Sequence, residues 1–239
     1  MAESYQGNTE FQPDFESEGE GAGCQNPALI MPENENISDD AVTNSWNEQI
    51  ISFFDRMAPE WDRRMVKDDA KINLILDAAG VKKGSVVLDV ACGTGILFPY
   101  FLERNVSHVI GVDISPGMAH IAAGKFQDPR IEVICGNIET IPVRMLCDCC
   151  VIYNALPHFE NPQRLVSRLV GWLKPGGRLT VAHGMGLEAL QRHHAGQARN
   201  VSRRMPSADE LAQLLSPWLS VDVRISDNEK YIVSGIVSK

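Results

Sequence analysis

The sequence predicts an α/β protein: a three-layer sandwich around a seven-stranded, mostly parallel sheet whose last strand is antiparallel. Short β-branched runs alternate with helical patterns from residue 85 onward, which is typical of a parallel sheet covered by helices on both faces. The last two strand patterns are joined by the polar turn 226–230, which is too short for a parallel crossover. The chain is 44% hydrophobic and 22% charged, as expected for an ordinary globular domain.

The first part of the chain differs in composition from the rest. Residues 1–45 are rich in acidic, Asn, Gly and Pro residues and poor in large apolar side chains, so we predict a disordered tail; a regulatory or partner-binding tail is the alternative. The folded domain is predicted to span 46–239, with N-terminal helices or a lid over 46–80. Pro59 is expected to end the first helix, and Gly80 to follow a second helix over 68–79.

The elements of the sheet follow in chain order. Strands are predicted over 85–90, 108–113, 131–135, 148–153, 178–183, 219–225 and 231–237. Ser115 and Pro116 have the N-cap and first-turn positions of a helix after the second strand. Ser207 and Glu210 have capping-box spacing for a helix before the last strand pair.

Charge and composition narrow the kinds of partner. The net charge is −9 and the pI about 5.2, so the summed field repels nucleic acid and anionic membrane surfaces. We therefore expect a small-molecule substrate, no nucleic-acid or membrane partner, and a monomer or homodimer. The sequence has no signal-peptide pattern and no apolar run of bilayer length, so we expect a cytoplasmic protein.

Three of the six cysteines cluster where the fourth strand begins. Side chains alternate between the two faces of a strand, so Cys147 and Cys149 are predicted to share one face and Cys150 to take the other. We interpret them as buried, reduced thiols rather than as a soft-metal site.

The most informative segment follows the first strand. Here a buried strand runs into a turn of small residues and then into a helix, with Asp89, Ala91, Cys92, Gly93 and Gly95 as candidate ligand-binding residues. Small residues allow the backbone to approach a ligand closely, and the helix N-terminus favours anionic groups. In open α/β sheets, ligands bind outside the carboxyl ends of the strands.

Further candidates follow the next three strands. Asp113 ends the second strand, where a carboxylate can accept both hydroxyls of a ribose. Asn137 and Ile138 follow the third strand, where they can meet the edge and face of an adenine. Asn154 follows the fourth strand, where we expect the reacting centre.

These residues carry a resemblance to the class I S-adenosylmethionine (SAM) dependent methyltransferases, near the small-molecule type 11/25 group. It extends over 46–239 and implies a Rossmann-like fold, SAM as cofactor and S-adenosylhomocysteine as product. It also implies that 89–95 wraps the methionine part of SAM, that Asp113 holds the ribose and that Ile114 lies beside the adenine. The stretch 136–142 and the Lys-Pro-Gly-Gly turn 174–177 match family motifs as well.

The resemblance extends to an N-terminal helix, but the sequence departs from the family pattern at two positions. Residues 54–62 are similar to the family's helix that often covers the cofactor. Ala91 replaces the first glycine of the loop, and Asn137 replaces an aspartate whose charge would make it the stronger acceptor. A nicotinamide dehydrogenase is disfavoured because Phe98 stands where the third glycine of its fingerprint belongs.

The histidines are the candidate bases. His158, His183 and His194 follow the fourth and fifth strands, and imidazole exchanges protons near neutral pH. His158 is our first candidate for the base or a substrate contact; alternatively it caps a helix or touches the cofactor. We predict no metal site, although His183, His193 and His194 form a conceivable zinc set. The nearby arginines, at 192, 199, 203 and 204, can bind a carboxylate or phosphate.

The predicted function is transfer of a methyl group from SAM to an O, N or S nucleophile of a small molecule. Two alternatives stay open at this point: a SAM- or nucleotide-binding regulatory protein without catalysis, and a protein methyltransferase. Fold alone does not separate them.

Overall fold

The computed structural model describes residues 37–194, 196 and 198–238. The predicted tail lies outside the described residues up to position 36. The helices are α1 Ile37–Arg64, α2 Asp69–Ala78, α3 Phe98–Glu103, α4 Pro116–Lys125, α5 Pro162–Val170, α6 Leu187–His194 and α7 Ala208–Leu215. The strands are β1 Val86–Val90, β2 His108–Asp113, β3 Ile131–Cys135, β4 Cys147–Tyr153, β5 Leu173–His183, β6 Leu219–Ser226 and β7 Tyr231–Val237. Short 3-10 helices cover Leu156–His158 and Arg199–Val201.

The sheet has the predicted topology. Its seven strands lie in the order β3-β2-β1-β4-β5-β7-β6. Strands β1 to β5 pair in parallel, and β7 runs antiparallel between β5 and β6. The strand order reverses beside β1, which pairs with both β2 and β4, so the topological switch point lies at the carboxyl end of β1. Ligands of open α/β sheets bind at such a point.

Helix α1 continues through the position where we predicted its end. Pro59 lies inside α1, which runs on to Arg64, so this prediction was wrong. Proline removes one backbone hydrogen bond from a helix, but contacts beyond Pro59 hold the last turn: Asp62 bonds both Thr94 and Lys125. Helix α1 also begins before Trp46, at Ile37.

The cysteine prediction was half right. Cys147, Cys149 and Cys150 are buried free thiols. However, Cys147 packs with Cys150 on the side of α5 and α7, whereas Cys149 packs on the opposite side, beneath α2 and α3. The pairing of β4 with β5 is irregular at 147–149, so the regular alternation of side chains is not maintained at the first residues of β4. Sequence alternation alone therefore assigned Cys147 to the wrong face.

Helix caps follow the sequence closely. The Ser115 hydroxyl accepts a hydrogen bond from the Met118 N–H, with Pro116 as the first helical residue. Ser207 and Glu210 form the predicted capping box of α7. Strand β5 begins earlier than predicted, at Leu173. None of the helices in the described part of the chain has both the length and the apolar character needed to cross a bilayer.

Candidate functional site

A cleft of about 960 Å³ opens at the carboxyl ends of β1 to β4. Most of the predicted site residues line it: Ala91, Cys92, Gly93, Asp113, Ile114, Asn137, Ile138, Asn154 and His158. The spacing of these residues at successive strand ends brings them to one edge of the sheet.

The turn after β1 has a left-handed backbone at three positions. Ala91, Gly93 and Gly95 have φ values of +54°, +57° and +79°. At Gly95 a Cβ would lie 2.7 Å from the Phe98 ring, so only glycine fits there. Gly95 therefore shapes the turn, whereas Ala91 and Gly93 lie on the cleft wall.

Ala91 is a strained residue, and its replacement by glycine is expected to stabilise the protein. A left-handed conformation costs an L-residue about 1–2 kcal/mol, and the added freedom of glycine in the unfolded chain offsets about 0.5–1 kcal/mol of this. We expect Ala91→Gly to raise the free energy of unfolding by up to about 1 kcal/mol, or Tm by about 2–4 °C. Thermal unfolding measures this directly. The control Ala119→Gly, inside α4, should lower stability; a destabilised Ala91→Gly variant would contradict the assigned strain.

Asp113 joins the ends of β1 and β2. Its carboxylate accepts hydrogen bonds from the N–H of Gly93, at 2.8 Å, and of Ser115, at 2.9 Å. Burial raises the pKa of Asp113 to about 6, against the lowering effect of these two bonds, and the nearby charge of Asp55 raises it further. The residue is therefore ionised at neutral pH and able to accept hydroxyl hydrogen bonds in the cleft.

The raised pKa predicts pH-dependent nucleoside binding. Below about pH 6 the Asp113 carboxyl takes up a proton and loses its strength as an acceptor. We expect the Kd of 5′-methylthioadenosine, which has the ribose but no amino-acid group, to rise by up to about tenfold per pH unit below 6. Titration calorimetry between pH 5 and 8 tests this, and Asp113→Asn should give a weaker, flatter profile. A flat wild-type profile would contradict it.

The same pKa affects folding stability with the opposite sign. The folded-state pKa of about 6 lies above the usual value of 3.8 for an aspartate, so between these values the folded protein binds more protons than the unfolded chain. Its contribution to stability therefore grows as the pH falls through 6 toward 4, and is lost as the pH rises. Weaker binding in acid cannot then be attributed to unfolding driven by Asp113.

Asp89 supplies a test of whether a cationic ligand fits. It is only 2% exposed, and its Oδ2 atom accepts no hydrogen bond from the described residues. Burial and the neighbouring Asp113 raise its pKa well above the usual value. An ammonium group that reached this carboxyl, such as that of the methionine part of SAM, would supply a donor. However, Asp89 and Gly95, both predicted from the sequence as binding residues, do not line the cleft.

The two asparagines use their amide oxygens within the protein. Asn137 Oδ1 accepts from the Glu139 N–H at 2.9 Å, which leaves one oxygen lone pair and the NH2 group for an adenine edge. Asn154 has φ +56°, and its Oδ1 accepts from the Gly184 N–H at 2.9 Å. Asn154 thereby ties the end of β4 to the end of β5, beside the predicted reacting centre.

Helix α1 closes one side of the cleft and is held by two aspartates. Asp55 Oδ1 accepts from the Ser115 hydroxyl at 2.5 Å and from the Gly117 N–H at 2.9 Å, so it caps α4 together with Ser115. Asp62 accepts from the Thr94 hydroxyl at 2.5 Å. Next to these two aspartates in the chain, Phe54 and Trp61 of α1 line the cleft. The predicted covering helix is thus joined to the glycine turn and to α4.

His158 lies on the cleft wall, and its ring is fixed from behind. Its Nδ1 lies 2.7 Å from the Val201 carbonyl oxygen, so Nδ1–H is the donor and the neutral ring has its lone pair on Nε2. The Phe54 ring meets it edge-on at 4.9 Å between centroids. The Trp46 indole N–H donates to the His158 carbonyl at 2.9 Å. This oriented imidazole is suited to accept a proton.

The other predicted bases lie elsewhere. His183 is fully buried at the end of β5, against the Tyr231 ring, and does not line the cleft. His194 ends α6, and its side chain lies outside the described part. Among described residues, no group of three His, Cys, Asp or Glu can hold a metal ion.

The arginines named from the sequence do not line the main cleft. Arg199, Arg203 and Arg204 border a separate recess that is more open to solvent. Arg203 is paired with Glu160, and Arg204 with Glu210. Trp46, Phe159 and Glu160 were not predicted to take part in the site. Phe159 and Glu160 directly follow His158, so proximity along the chain was the available signal, whereas the contact of Trp46 with His158 spans 112 positions.

Known proteins share this fold and its motifs. The methyltransferase domain family matches residues 88–181. The chain is 28% identical over 210 residues to a demethylmenaquinone methyltransferase of Paenarthrobacter aurescens, covering 74% of this chain and 81% of that protein. It is 30% identical over 129 residues to a malonyl-[acyl-carrier protein] O-methyltransferase of Acetivibrio thermocellus, covering 53% of this chain and 46% of that protein.

A solved structure agrees on the fold. The N-methyltransferase NodS of Bradyrhizobium japonicum, in complex with S-adenosylhomocysteine, has a TM-score of 0.65 and 14% identity, covering 79% of this chain and 98% of that one. The family match spans β1 to β5, the strands whose ends form the cleft. Residues 88–181 thus match the methyltransferase domain family, and the protein is an enzyme that uses SAM as its methyl donor.

Proposed function

We propose that this enzyme transfers the methyl group of SAM to an O, N or S nucleophile of a small molecule, with His158 as general base. The observation that carries the proposal is the orientation of His158: the bond from Nδ1–H to Val201 O fixes the ring on the cleft wall. General bases at such positions contribute about 10²- to 10⁴-fold to a rate. His183, which is buried away from the cleft, is the weaker candidate.

Different residues bind SAM and accept the proton. Asp113 accepts hydrogen bonds from the ribose, and Asn154 keeps the ends of β4 and β5 in register. SAM, when bound, supplies a methyl group on a positively charged sulfur. The acceptor proton moves to His158 Nε2, the freed lone pair bonds to the methyl carbon, and the S–CH3 electron pair stays on sulfur, leaving S-adenosylhomocysteine.

The enclosure of the cleft favours a small acceptor over a protein. Helix α1 covers one side through Phe54 and Trp61, and the segment around Val201 packs against Ile50 of α1. A folded protein substrate needs an open groove for its chain. The relatives' names include a quinone precursor and an acyl group on a carrier protein as acceptors, so acceptor chemistry varies among them.

Labelled methyl transfer tests the proposal. The protein is incubated with [methyl-14C]SAM and a cell extract separated into metabolite and protein fractions. Label in the metabolite fraction, with one S-adenosylhomocysteine formed per methyl group, supports a small-molecule acceptor. Label confined to the protein fraction supports a protein methyltransferase instead. SAM binding without any S-adenosylhomocysteine would contradict catalysis altogether.

A further inference from the structure

The part of the cleft wall formed by His158 and Glu160 is held by a cluster from three segments. Trp46 of α1 donates to the His158 carbonyl, and the Arg203 guanidinium lies over the Trp46 ring at 4.1 Å. The Arg203 guanidinium also donates to Glu160 Oε1 at 3.3 Å. The backbone N–H of Arg203 donates to the Pro157 carbonyl oxygen at 2.7 Å. Because His158 belongs to this cluster, we assign this part of the cleft to the acceptor and call it the acceptor end.

The charges of the cleft wall are all negative but largely compensated. Asp113, Glu139 and Glu160 line it, and no Lys or Arg does so among the described residues. Each glutamate is paired with an arginine that is not part of the lining: Glu139 with Arg164 at 2.8 Å and Glu160 with Arg203 at 3.3 Å. In our assignment, the Asp113 carboxylate accepts hydrogen bonds from the ribose hydroxyls. The acceptor end therefore has no uncompensated charge.

The rest of the acceptor end is apolar. Ile50, Phe54, His158 and Phe159 all line the cleft, and the Phe54 ring packs edge-on against the His158 ring. Such a surface favours a flat, ring-bearing molecule. An anionic acceptor would meet Glu160 without a cation on the wall to bind it, and a cationic one would compete with Arg203 for the same carboxylate. Burying a charge without a partner is costly.

We propose that the acceptor is an uncharged, ring-bearing molecule and that the Glu160–Arg203 pair determines this selectivity. The proposal rests on the proposed function, since it names the acceptor of that same site. Glu160 and Arg203 are specificity residues: in the pair their charges cancel, and the loss of either one leaves the other to attract a molecule of opposite sign.

Binding of three matched probes tests the selectivity without turnover. The probes are 2-naphthol, 6-hydroxy-2-naphthoate and 6-(aminomethyl)-2-naphthol, which are neutral, anionic and cationic at pH 7.5. Each is titrated into the full-length enzyme saturated with S-adenosylhomocysteine. We expect 2-naphthol to bind about tenfold or more tightly than either charged probe. Equal binding of the three, tighter binding of a charged probe, or no binding of any would overturn the proposal.

Single and double variants identify the residues responsible. Glu160→Gln leaves Arg203 uncompensated and should shift the ratio of affinities toward the naphthoate about three- to tenfold, a modest effect because Arg203 is half exposed. Arg203→Gln should shift the ratio by a similar factor toward the ammonium probe. The double variant should restore the neutral preference. Arg204→Gln, from an exposed pair outside the cleft, is the matched control.

The two proposals fail in different ways. The affinity for S-adenosylhomocysteine and the Tm report whether each variant is folded. A change in the ratio of probe affinities is therefore not confused with unfolding. If the ratios shift as expected while the extract experiment shows no transfer, the acceptor pocket is real and the catalytic proposal is wrong. If transfer occurs but the ratios do not move with Glu160 and Arg203, the selectivity proposal is wrong.

Discussion

Replacing His158 by glutamine is expected to lower kcat about 100- to 10,000-fold, while the Kd of SAM changes by less than about threefold. Glutamine is similar in size and can still donate to the Val201 carbonyl oxygen that holds the imidazole, but it cannot accept the acceptor's proton. Formation of S-adenosylhomocysteine with the acceptor identified from the extract measures kcat, and calorimetry measures the Kd.

A second histidine provides the control for this prediction. His120 is exposed on α4 and lies outside the cleft lining, so His120→Gln should leave kcat unchanged. A His158→Gln enzyme within threefold of wild type would show that the acceptor reacts without this base. His158 would then be a wall residue.

Replacing Asp55 by alanine is expected to loosen α1 from the rest of the domain. The Asp55 carboxylate accepts hydrogen bonds from Ser115 and Gly117, and a hydrogen bond to a charged group contributes about 1.5–3 kcal/mol. Losing roughly 3 kcal/mol makes local opening of α1 about 100-fold more favourable, so its amide hydrogens should exchange about 100-fold faster. Hydrogen exchange of the amides over 50–62 measures this directly.

The location of the effect distinguishes a loosened helix from global unfolding. Amides of β1 and β4 should exchange at rates far closer to wild type than those of α1. Glu48→Ala, at an exposed position of the same helix, is the matched control and should leave exchange unchanged. Equal protection of α1 in Asp55→Ala and wild type would mean that Asp55 contributes little to the closed cleft.

The cofactor side of the site was predictable because it depends on short-range order. Asp113 and Asn154 each follow a strand whose position the apolar runs indicate, and parallel strands bring their carboxyl ends to one edge. The left-handed turn was marked by Gly93 and Gly95. Ala91 adopts the same conformation as those glycines, which the sequence did not reveal beyond the substitution of a family glycine.

The acceptor side was not predictable because its contacts join distant segments. The stacking of Arg203 on Trp46, and the bond from Trp46 to His158 across 112 positions, follow from how α1 docks. From sequence, Arg203 was only one of several basic residues near the histidines. Because Arg203 is paired with Glu160, we interpret it as a residue that neutralises a charge of the cleft wall and not as one that binds an anion.

Predictions from single residues also failed where contacts with distant parts of the fold offset an unfavourable local conformation. Pro59 is a helix breaker by sequence, yet α1 continues because Asp62 is anchored to Thr94 and Lys125. The position of Cys147 on the face of Cys150, where the pairing of β4 with β5 is irregular, leaves no mark in the alternation of residues. Both features depend on neighbours that only the folded sheet supplies.

The measurement that tests the central claim most directly is calorimetric titration of the purified protein with SAM, S-adenosylhomocysteine and NAD, repeated on Asp113→Ala. We predict one site per chain with micromolar affinity for both adenosyl ligands, no binding of NAD, and loss of binding in the variant. Binding of NAD, or of none of the three, would contradict a SAM-dependent enzyme whose ribose site is Asp113.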